Sequence, residues 1–303
     1  MSEPTSNPSA NPRGLRVFTL ATGTRSYVLQ LGEQWLDLSG YLSSKRLPVD
    51  LGALIESGFF EQASLERHLA QEGWAGAQPV FGEFGLDLPV PRERVGKILA
   101  LGKNFREHAA EFQEAVPEEP LFFNKLPETL VPSGASVSVH PWYTRRVDYE
   151  SELVVVIGKQ GVHIPATRAM EHVAGYTVAN DLTARSLQGQ DRELKYPWFR
   201  AKNLDGFCPL GPCFVPRDWL DVSDLHVRAS VNGAPRQDAS TKDFVVDIPH
   251  AIEWLSKHLT LRPMDLILMG TPAGVGPLEH GDLVVCSIDG IGELSTRIER
   301  PKS

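Results

Sequence analysis

Two glutamates with one residue between them open a very apolar segment, DYESELVVVIGK. In a strand, side chains two positions apart point to the same face, so Glu150 and Glu152 would lie side by side. Two neighbouring carboxylates repel each other unless a positive charge lies between them. The pair therefore either binds a cation or lies on a solvated strand face. The apolar run that follows favours a strand buried on both faces.

A third carboxylate ends another apolar segment, GYTVAND. Asp181 precedes LTARSLQ, and it could cap a helix formed by that segment. If Asp181 instead joins Glu150 and Glu152, the three carboxylates form a site of hard oxygen ligands. Such a site, without Cys or clustered His, favours Mg²⁺, Mn²⁺ or Ca²⁺ over zinc.

Groups that could transfer protons lie upstream, in NFREHAAEF. His108 and Glu111 are three residues apart and would share one side of a helix. A carboxylate beside an imidazole favours the protonated ring or fixes one tautomer for proton abstraction. A surface helix with an incidental His–Glu pair would show the same spacing. Lys202, in FRAKNLDGF, is by itself typical of a solvated surface lysine.

The segment GTPAGVGP (270–277) follows the apolar strand candidate DLILM. It lacks the Lys-Ser/Thr of a phosphate-binding loop, but its backbone N–H groups and the Thr271 hydroxyl could bind a carboxylate. Lys125 and Arg185 add positive charge near these elements in the sequence. The chain has no Gly-x-Ser-x-Gly motif and no GxGxxG between a strand and a helix, which disfavours serine catalysis and dinucleotide chemistry.

Short strands are the main elements available to position these groups. The strand candidates are KILALG, ELVVVIG, AGYTVAN, LHVRASV, DLILMG and LVVCSI, and helical stretches are predicted at 104–115, 166–172, 182–189 and 249–259. This pattern favours a mainly β or α+β fold over a doubly wound parallel sheet. Upstream, residues 14–41 indicate a small antiparallel sheet, and residues 49–72 have helical spacing broken by Gly58.

Composition narrows the class of protein. The 303 residues include 38 acidic and 30 basic side chains, a net charge of -8, which argues against a nucleic-acid partner. The longest apolar runs are too short to span a membrane. Three cysteines without paired spacing fit a reducing cytoplasm and three buried small residues. We predict a disordered tail at 1–13, a small N-terminal α+β domain at 14–95 and a catalytic domain at 96–303.

Six segments, in order along the chain, together resemble the fumarylacetoacetate hydrolase family. They are LGKNFREHAAEF, PLFFNKLPETL, DYESELVVVIGK, GYTVANDLTARSLQ, PWFRAKNLDGFCPLGP and GTPAGVGPLEHGD. The resemblance covers about residues 96–300. It implies a mixed β-roll catalytic domain, a homodimer, a Mg²⁺ ion (or Mn²⁺ or Ca²⁺) and a small oxo acid as the substrate.

The resemblance also implies a role for each candidate residue. Metal ligands would be Glu150, Glu152 and Asp181; catalytic groups would be His108, Glu111 and Lys202; substrate contacts would be Lys125, Arg185, Gln188 and Thr271. The expected reaction is hydrolysis of a C–C bond in a 2,4-dioxo acid of the acylpyruvate or fumarylacetoacetate type, by water that His108 and Glu111 activate.

Other reactions remain open at this point. The same residues suit an isomerase or decarboxylase of 2-hydroxy-dienedioates in aromatic catabolism, or an oxaloacetate decarboxylase. A binding protein that has kept the fold is a further, non-catalytic alternative. The segment 203–206 (NLDG) departs from the aromatic-Asp-Thr pattern associated with many members, which leaves the identity of the substrate open.

Overall fold

Strands make up most of the regular structure in this computed structural model, which describes residues 13–20, 24–76, 85–107, 118–140 and 145–301. The strands are β1 (Arg13–Thr19), β2 (Arg25–Leu31), β3 (Gln34–Asp37), β4 (Gly85–Leu86), β5 (Ile98–Gly102), β6 (Leu121–Lys125), β7 (Leu130–Pro132), β8 (Ser136–Ser138), β9 (Val147–Asp148), β10 (Ser151–Ile157), β11 (Val173–Asn180), β12 (Thr183–Ala184), β13 (Cys208–Pro216), β14 (His226–Val231), β15 (Ala234–Ser240), β16 (Leu266–Leu268), β17 (Leu283–Ile288) and β18 (Gly292–Glu299).

Fewer of the described residues lie in helices than in strands. The α-helices are α1 (Leu38–Ser44), α2 (Leu51–Glu56), α3 (Gln62–Leu69), α4 (Arg185–Glu193), α5 (Phe199–Lys202) and α6 (Ile248–His258). Single 3₁₀ turns or short 3₁₀ helices occur at Arg92–Arg94, Pro127–Thr129, Ala166–His172, Arg217–Trp219 and Thr241–Asp243. The predicted mainly β, α+β fold class is therefore confirmed.

Within the described residues the strands form three sheets. The largest has the order β3-β2-β1-β13-β11-β10-β16-β5-β6, with β4 paired to β1 and β7 paired to β13. A five-stranded sheet has the order β15-β14-β17-β18-β8, and β12 pairs with β9. The large sheet is mixed, because β16 runs parallel to β5 while β10 runs antiparallel to both β11 and β16.

The strand β10 is buried on both faces, as its continuous apolar sequence predicts. Leu153, Val155 and Ile157 pack into a hydrophobic cluster with the five-stranded sheet and α6. Val154 and Val156 pack on the other side, in a second cluster with the N-terminal helices. The central strands are thus held between two layers, and their ends have little freedom to move.

The N-terminal segment extends the large sheet instead of forming a separate one. The antiparallel strands predicted within 14–41 are β1, β2 and β3, and β1 pairs with β13 through Leu15 and Phe214. The helical segment that Gly58 interrupts contains α2 and α3, and Gly58 has a φ of +70°. Residues 1–12 of the predicted tail lie outside the described residues, and Arg13 already belongs to β1. The domain boundary at 95 and 96 stays a prediction.

Local predictions failed at two places. The helix expected at 182–189 begins only at Arg185, because Thr183 and Ala184 pair with β9. The strand β13 was not predicted, since its three prolines and its glycine are typical of turns. The three cysteines are free and buried, as expected. No helix among the described residues is long and apolar enough to cross a membrane.

The contact between β11 and β13 generates a stability prediction. A Cβ atom on Gly175 would lie 2.2 Å from the carbonyl oxygen of Val215, which is backbone and cannot turn aside. We expect Gly175→Ala to lower the free energy of unfolding by about 2 kcal/mol or more, measured by urea denaturation. Gly189→Ala is the control: this position in α4 has nothing within 4 Å, so alanine should be neutral or stabilising. Equal effects at the two sites would contradict the close packing of β11 on β13.

Candidate metal centre and active-site cleft

Three buried carboxylates meet at one end of the large sheet. One oxygen from each of Glu150, Glu152 and Asp181 lies within 4.8 Å of the others. The residues are 4%, 2% and 0% exposed, so water screens their charges very little. The sequence pattern GluXGlu and a distant Asp therefore come together in space.

The pairing register of two strands explains this meeting. The strands β10 and β11 are antiparallel, with Ser151 opposite Asn180 and Glu152 opposite Ala179. The start of β10 consequently lies beside the end of β11, and the backbone N–H of Asp181 donates a hydrogen bond of 2.8 Å to the carbonyl oxygen of Glu150. Asp181 does not cap a helix, since Ala184 precedes α4.

Two buried lysines compensate part of this negative charge. The Nζ atom of Lys202, in α5, donates to Glu150 Oε2 at 2.8 Å and to Asp181 Oδ2 at 2.5 Å. Burial alone would lower the pKa of Lys202, but the charges of Asp181 and Glu150 outweigh burial and the pKa is raised. The lysine is therefore a charged ammonium within the carboxylate group, not a solvated surface residue.

Lys125 lies on the other side of Asp181. Its Nζ atom, which is completely buried, donates to Asp181 Oδ1 at 2.6 Å and to the carbonyl oxygen of Lys202 at 2.6 Å. Lys125 is not among the residues that line the neighbouring cleft. The position of Lys125 therefore favours a role in orienting Asp181 and Lys202. The family resemblance implied a different role for Lys125, a direct contact with the substrate.

Arg185, the first residue of α4, links this helix to the segment that carries Asp148 and Glu150. Its guanidinium donates to Asp148 Oδ2 at 2.8 Å, to Glu150 Oε1 at 2.5 Å and to Gln188 Oε1 at 2.6 Å. Asp148 is fully buried and also accepts two hydrogen bonds from Arg146. Asp148, Glu150 and Glu152 follow one another at intervals of two residues. The same alternation that places the two glutamates on one face therefore also indicates Asp148 as a residue of this face.

Glu152 has the least compensated charge of the three carboxylates. Its Oε2 atom accepts a hydrogen bond of 2.7 Å from the backbone N–H of Gly270. Among the described residues, no side-chain cation forms an ion pair with it. Burial, followed by the charges of Asp181 and Glu150, raises the pKa of Glu152 well above its usual range. A hard divalent cation bound by the three oxygens would offset this repulsion, so the donor set fits such an ion.

An open cleft adjoins this carboxylate cluster, and Glu150 and Glu152, but not Asp181, are among the residues that line it. Residues from several elements line it: Leu101, Gly102, Lys103, Phe123, Glu150, Glu152, Arg185, Gln188, Arg192, Trp198, Lys202 and Thr271. Three of the four predicted substrate contacts, Arg185, Gln188 and Thr271, are in this list. Apart from the two glutamates, the charged residues that line the cleft are all basic. This combination suits an anionic ligand next to a cation.

The predicted proton-transfer pair cannot be placed against this cleft. His108 and Glu111 lie outside the described residues. The described chain that leads to them, Gly102 and Lys103, lines the cleft. Asn104 follows and is held by hydrogen bonds to the carbonyl oxygens of Val246 and Met269.

The loop at 270–277 contributes Thr271 to the lining of the cleft and is held at several points. The Gly270 N–H bonds to Glu152, and the hydroxyl of Tyr149 donates to the carbonyl oxygen of Gly274 at 2.8 Å. Gln237 reaches the loop from β15. Neither Tyr149 nor Gln237 was a candidate from the sequence; Tyr149 adjoins the GluXGlu pair, while nothing in the hairpin sequence distinguishes Gln237.

The family model described as fumarylacetoacetate (FAA) hydrolase C-terminal matches residues 97–299. This match covers more than half of the chain and includes every candidate site residue. The chain belongs to the fumarylacetoacetate hydrolase family. The family assignment made from six short segments is confirmed.

Relatives within the family differ in their reactions. Oxaloacetate tautomerase YisK of Bacillus subtilis is 41% identical over 226 residues, which are 71% of this chain and 73% of YisK. Fumarylacetoacetate hydrolase from the psychrophile Exiguobacterium antarcticum has a TM-score of 0.78 and 31% identity, over 95% of this chain and all of that chain. Fumarylpyruvate hydrolase from Pseudomonas aeruginosa, solved with Mn²⁺ and pyruvate, has a TM-score of 0.65 and 36% identity, over 68% of this chain and 91% of that chain.

The carboxylate cluster predicts a response to metal that can be measured without a substrate. A ligand that binds only the folded protein stabilises it by mass action, so Mn²⁺ or Mg²⁺ should raise the melting temperature. Glu152→Gln should abolish most of this rise because it removes one anionic ligand. Asp265→Asn is the matched control, since Asp265 is also fully buried but pairs with Lys97, outside the cluster. An unchanged metal response in Glu152→Gln would exclude this site.

Proposed function

We propose that this protein is a divalent-metal-dependent enzyme that hydrolyses a C–C bond in a 2,4-dioxo acid of the acylpyruvate or fumarylacetoacetate type. The observation that carries the proposal is the group of three buried carboxylates with Lys202 among them, at the inner end of a cleft lined by basic side chains. A divalent cation held by these carboxylates, together with Lys202, would suit a reaction in which negative charge develops on a substrate oxygen.

Each described residue has a distinct part in this proposal. A bound Mg²⁺ ion, or Mn²⁺ or Ca²⁺, held by Glu150, Glu152 and Asp181, would act as a Lewis acid. Lys202 places its ammonium beside the position where the enolate charge develops. Arg185, Gln188 and Thr271 bind the carboxylate of the oxo acid, and Arg185 is held in place for this by Asp148.

Water activation is assigned to His108 and Glu111 on the strength of their sequence motif. Glu111 orients the imidazole, and His108 takes a proton from water. The resulting hydroxide attacks the distal carbonyl carbon, and the C–C bond next to that carbon breaks. The electron pair of this bond becomes the enolate, which takes up a proton to give the second product.

The relatives support the oxo acid as the substrate class. The Pseudomonas aeruginosa fumarylpyruvate hydrolase was solved with pyruvate, which is itself a 2-oxo acid, and with Mn²⁺. Pyruvate is one of the two fragments expected when an acylpyruvate is hydrolysed at the bond between its methylene carbon and its distal carbonyl carbon; the other is the carboxylic acid of the acyl group. The homodimer and the cytoplasmic location stay predictions.

A second candidate function is keto–enol tautomerisation of oxaloacetate. It is favoured by relatives that carry this activity in their names, such as the Bacillus subtilis protein at 41% identity. The described residues would stabilise the same type of enolate, while His108 and Glu111 would move a proton between carbon and oxygen instead of activating water. Three further reactions form products that differ from those of hydrolysis and of tautomerisation. They are the isomerisation of hydroxy-dienedioates, the decarboxylation of hydroxy-dienedioates and the decarboxylation of oxaloacetate.

Product analysis decides between these reactions. We expect the purified protein with Mg²⁺ or Mn²⁺ to convert an acylpyruvate into two carbon fragments, detected by mass spectrometry. Oxaloacetate and a hydroxy-dienedioate are tested in parallel. An isomer of the hydroxy-dienedioate would identify an isomerase, a faster change in the ultraviolet absorbance of enol oxaloacetate without a change of mass would identify a tautomerase, and released CO₂ would identify a decarboxylase. Any of these outcomes without cleavage of acylpyruvates would overturn the hydrolase proposal.

The assignment of His108 makes a separate prediction. His108→Ala should reduce hydrolysis of acylpyruvates by about 100-fold or more, because a general base contributes that much, while Mn²⁺ binding stays intact. His226→Ala is the control, since His226 pairs with Asp238 on the five-stranded sheet and does not line the cleft. Near-normal turnover in His108→Ala would show that another group activates the water.

A further inference from the structure

Gln237 connects three parts of the site from a strand that carries none of the predicted site residues. It lies in β15, at the edge of the five-stranded sheet, and only 2% of it is exposed. Its Oε1 atom accepts a hydrogen bond of 3.1 Å from the backbone N–H of Ser151, the residue between Glu150 and Glu152. Its Nε2 atom donates to Thr271 Oγ1 and to the carbonyl oxygen of Pro272, both at 2.8 Å.

The partners of Gln237 determine which way its amide faces. The Ser151 N–H can only donate, and the Pro272 carbonyl can only accept. A flipped amide would set two donors against each other at Ser151 and two acceptors against each other at Pro272. The amide therefore has one orientation, and its second N–H must point to the hydroxyl oxygen of Thr271.

This contact determines the role of the Thr271 hydroxyl. Because Thr271 Oγ1 accepts from Gln237, its own hydrogen is left to donate. None of the described residues accepts a hydrogen bond from this hydroxyl. Thr271 lines the cleft, as Glu152 does. The acceptor that fits this position is an oxygen of the ligand, and the best acceptor among oxo acid oxygens is a carboxylate.

The loop that carries Thr271 is also pressed against β15. A Cβ atom on Gly274 would lie 2.1 Å from the carbonyl oxygen of Arg236, the neighbour of Gln237. Gly274 has a φ of +99°, which favours glycine. The backbone of the loop and the side chain of Gln237 thus hold Thr271 from two directions.

We infer that Gln237 is a positioning residue for substrate binding, which turns the Thr271 hydroxyl into a fixed donor for the carboxylate of a 2-oxo acid. The inference rests on the proposed function, because it names the oxo acid as the ligand. The inference also gives the hairpin β14–β15 a role in the site, because Gln237 connects β10 to the loop at 270–277.

A double-mutant cycle tests this role with pyruvate as the probe, in the presence of saturating Mn²⁺. Gln237→Met keeps the size of the side chain but removes both amide groups, and Thr271→Val removes the hydroxyl. We expect each variant to weaken pyruvate binding about tenfold by calorimetry, the loss of one hydrogen bond to a charged group. The double variant should bind no more than about twofold weaker than either single variant, because both changes remove the same interaction.

Two controls separate positioning from general damage. Gln30→Met removes another buried glutamine, which bonds to Arg16 and to the carbonyl oxygen of Gly32 in the N-terminal sheet, so it should leave pyruvate binding unchanged. The affinity for Mn²⁺ should stay within about threefold in Gln237→Met. If Gln237→Met does not fold, Gln237→Glu replaces it, because a carboxylate of the same shape has no N–H for Thr271.

The outcomes distinguish failure of the inference from failure of the proposed function. Unchanged pyruvate binding in Gln237→Met, or fully additive effects in the double variant, would overturn the role of Gln237. Wild-type protein that binds no pyruvate with Mn²⁺ would contradict the proposed function. In that case the oxo acid part of the inference fails with the proposed function, and the same cycle, read by urea unfolding of the free protein, tests the remaining part: additive changes in unfolding free energy would show that Gln237 does not hold Thr271.

Discussion

Repulsion among three buried carboxylates is the constraint on which the rest of this site depends. The register of β10 and β11 brings Glu150, Glu152 and Asp181 together where water is excluded, so their charges must be compensated from within the protein. Short elements from distant parts of the chain supply that compensation: α5 carries Lys202, β6 ends with Lys125, and α4 begins with Arg185. The arrangement of these elements around the sheet follows from where positive charge is needed.

The sheet makes this unfavourable charge cluster tolerable because it is difficult to deform. The strand β10 packs between two hydrophobic clusters, and removing either layer would expose large apolar side chains to water. The loop at 270–277 is fixed to the same strand through Glu152 and to β15 through Gln237. Strand, loop and hairpin therefore fix the three carboxylates and Thr271 relative to one another, which the proposed catalysis by electrostatic stabilisation would require.

The fold class and the Glu150–Glu152 pair could be predicted from the sequence because they depend on local patterns, whereas the place of Asp181 depends on the register of β10 and β11 and was implied only by the family resemblance. Alternation places Glu150 and Glu152 on one face, and a long apolar run predicts a strand that is buried on both sides. The positions of Lys125 and Gln237 could not be predicted, since both depend on contacts between residues far apart in the chain. The strand β13 escaped prediction for a related reason: pairing with its neighbours overrides the low strand propensity of its prolines.

The pairing of β13 also determines which strand ends the large sheet on this side. On the side of β13 that faces away from β11, β1 pairs with Phe214 and β7 pairs with residues 208–210, so this buried strand is not an edge. An uncovered edge invites the strand of another molecule to add to the sheet. Because β1, β2 and β3 continue the sheet beyond β13, the strand at this end of the sheet is β3, which has only four residues. Such a short edge strand offers another chain little to pair with.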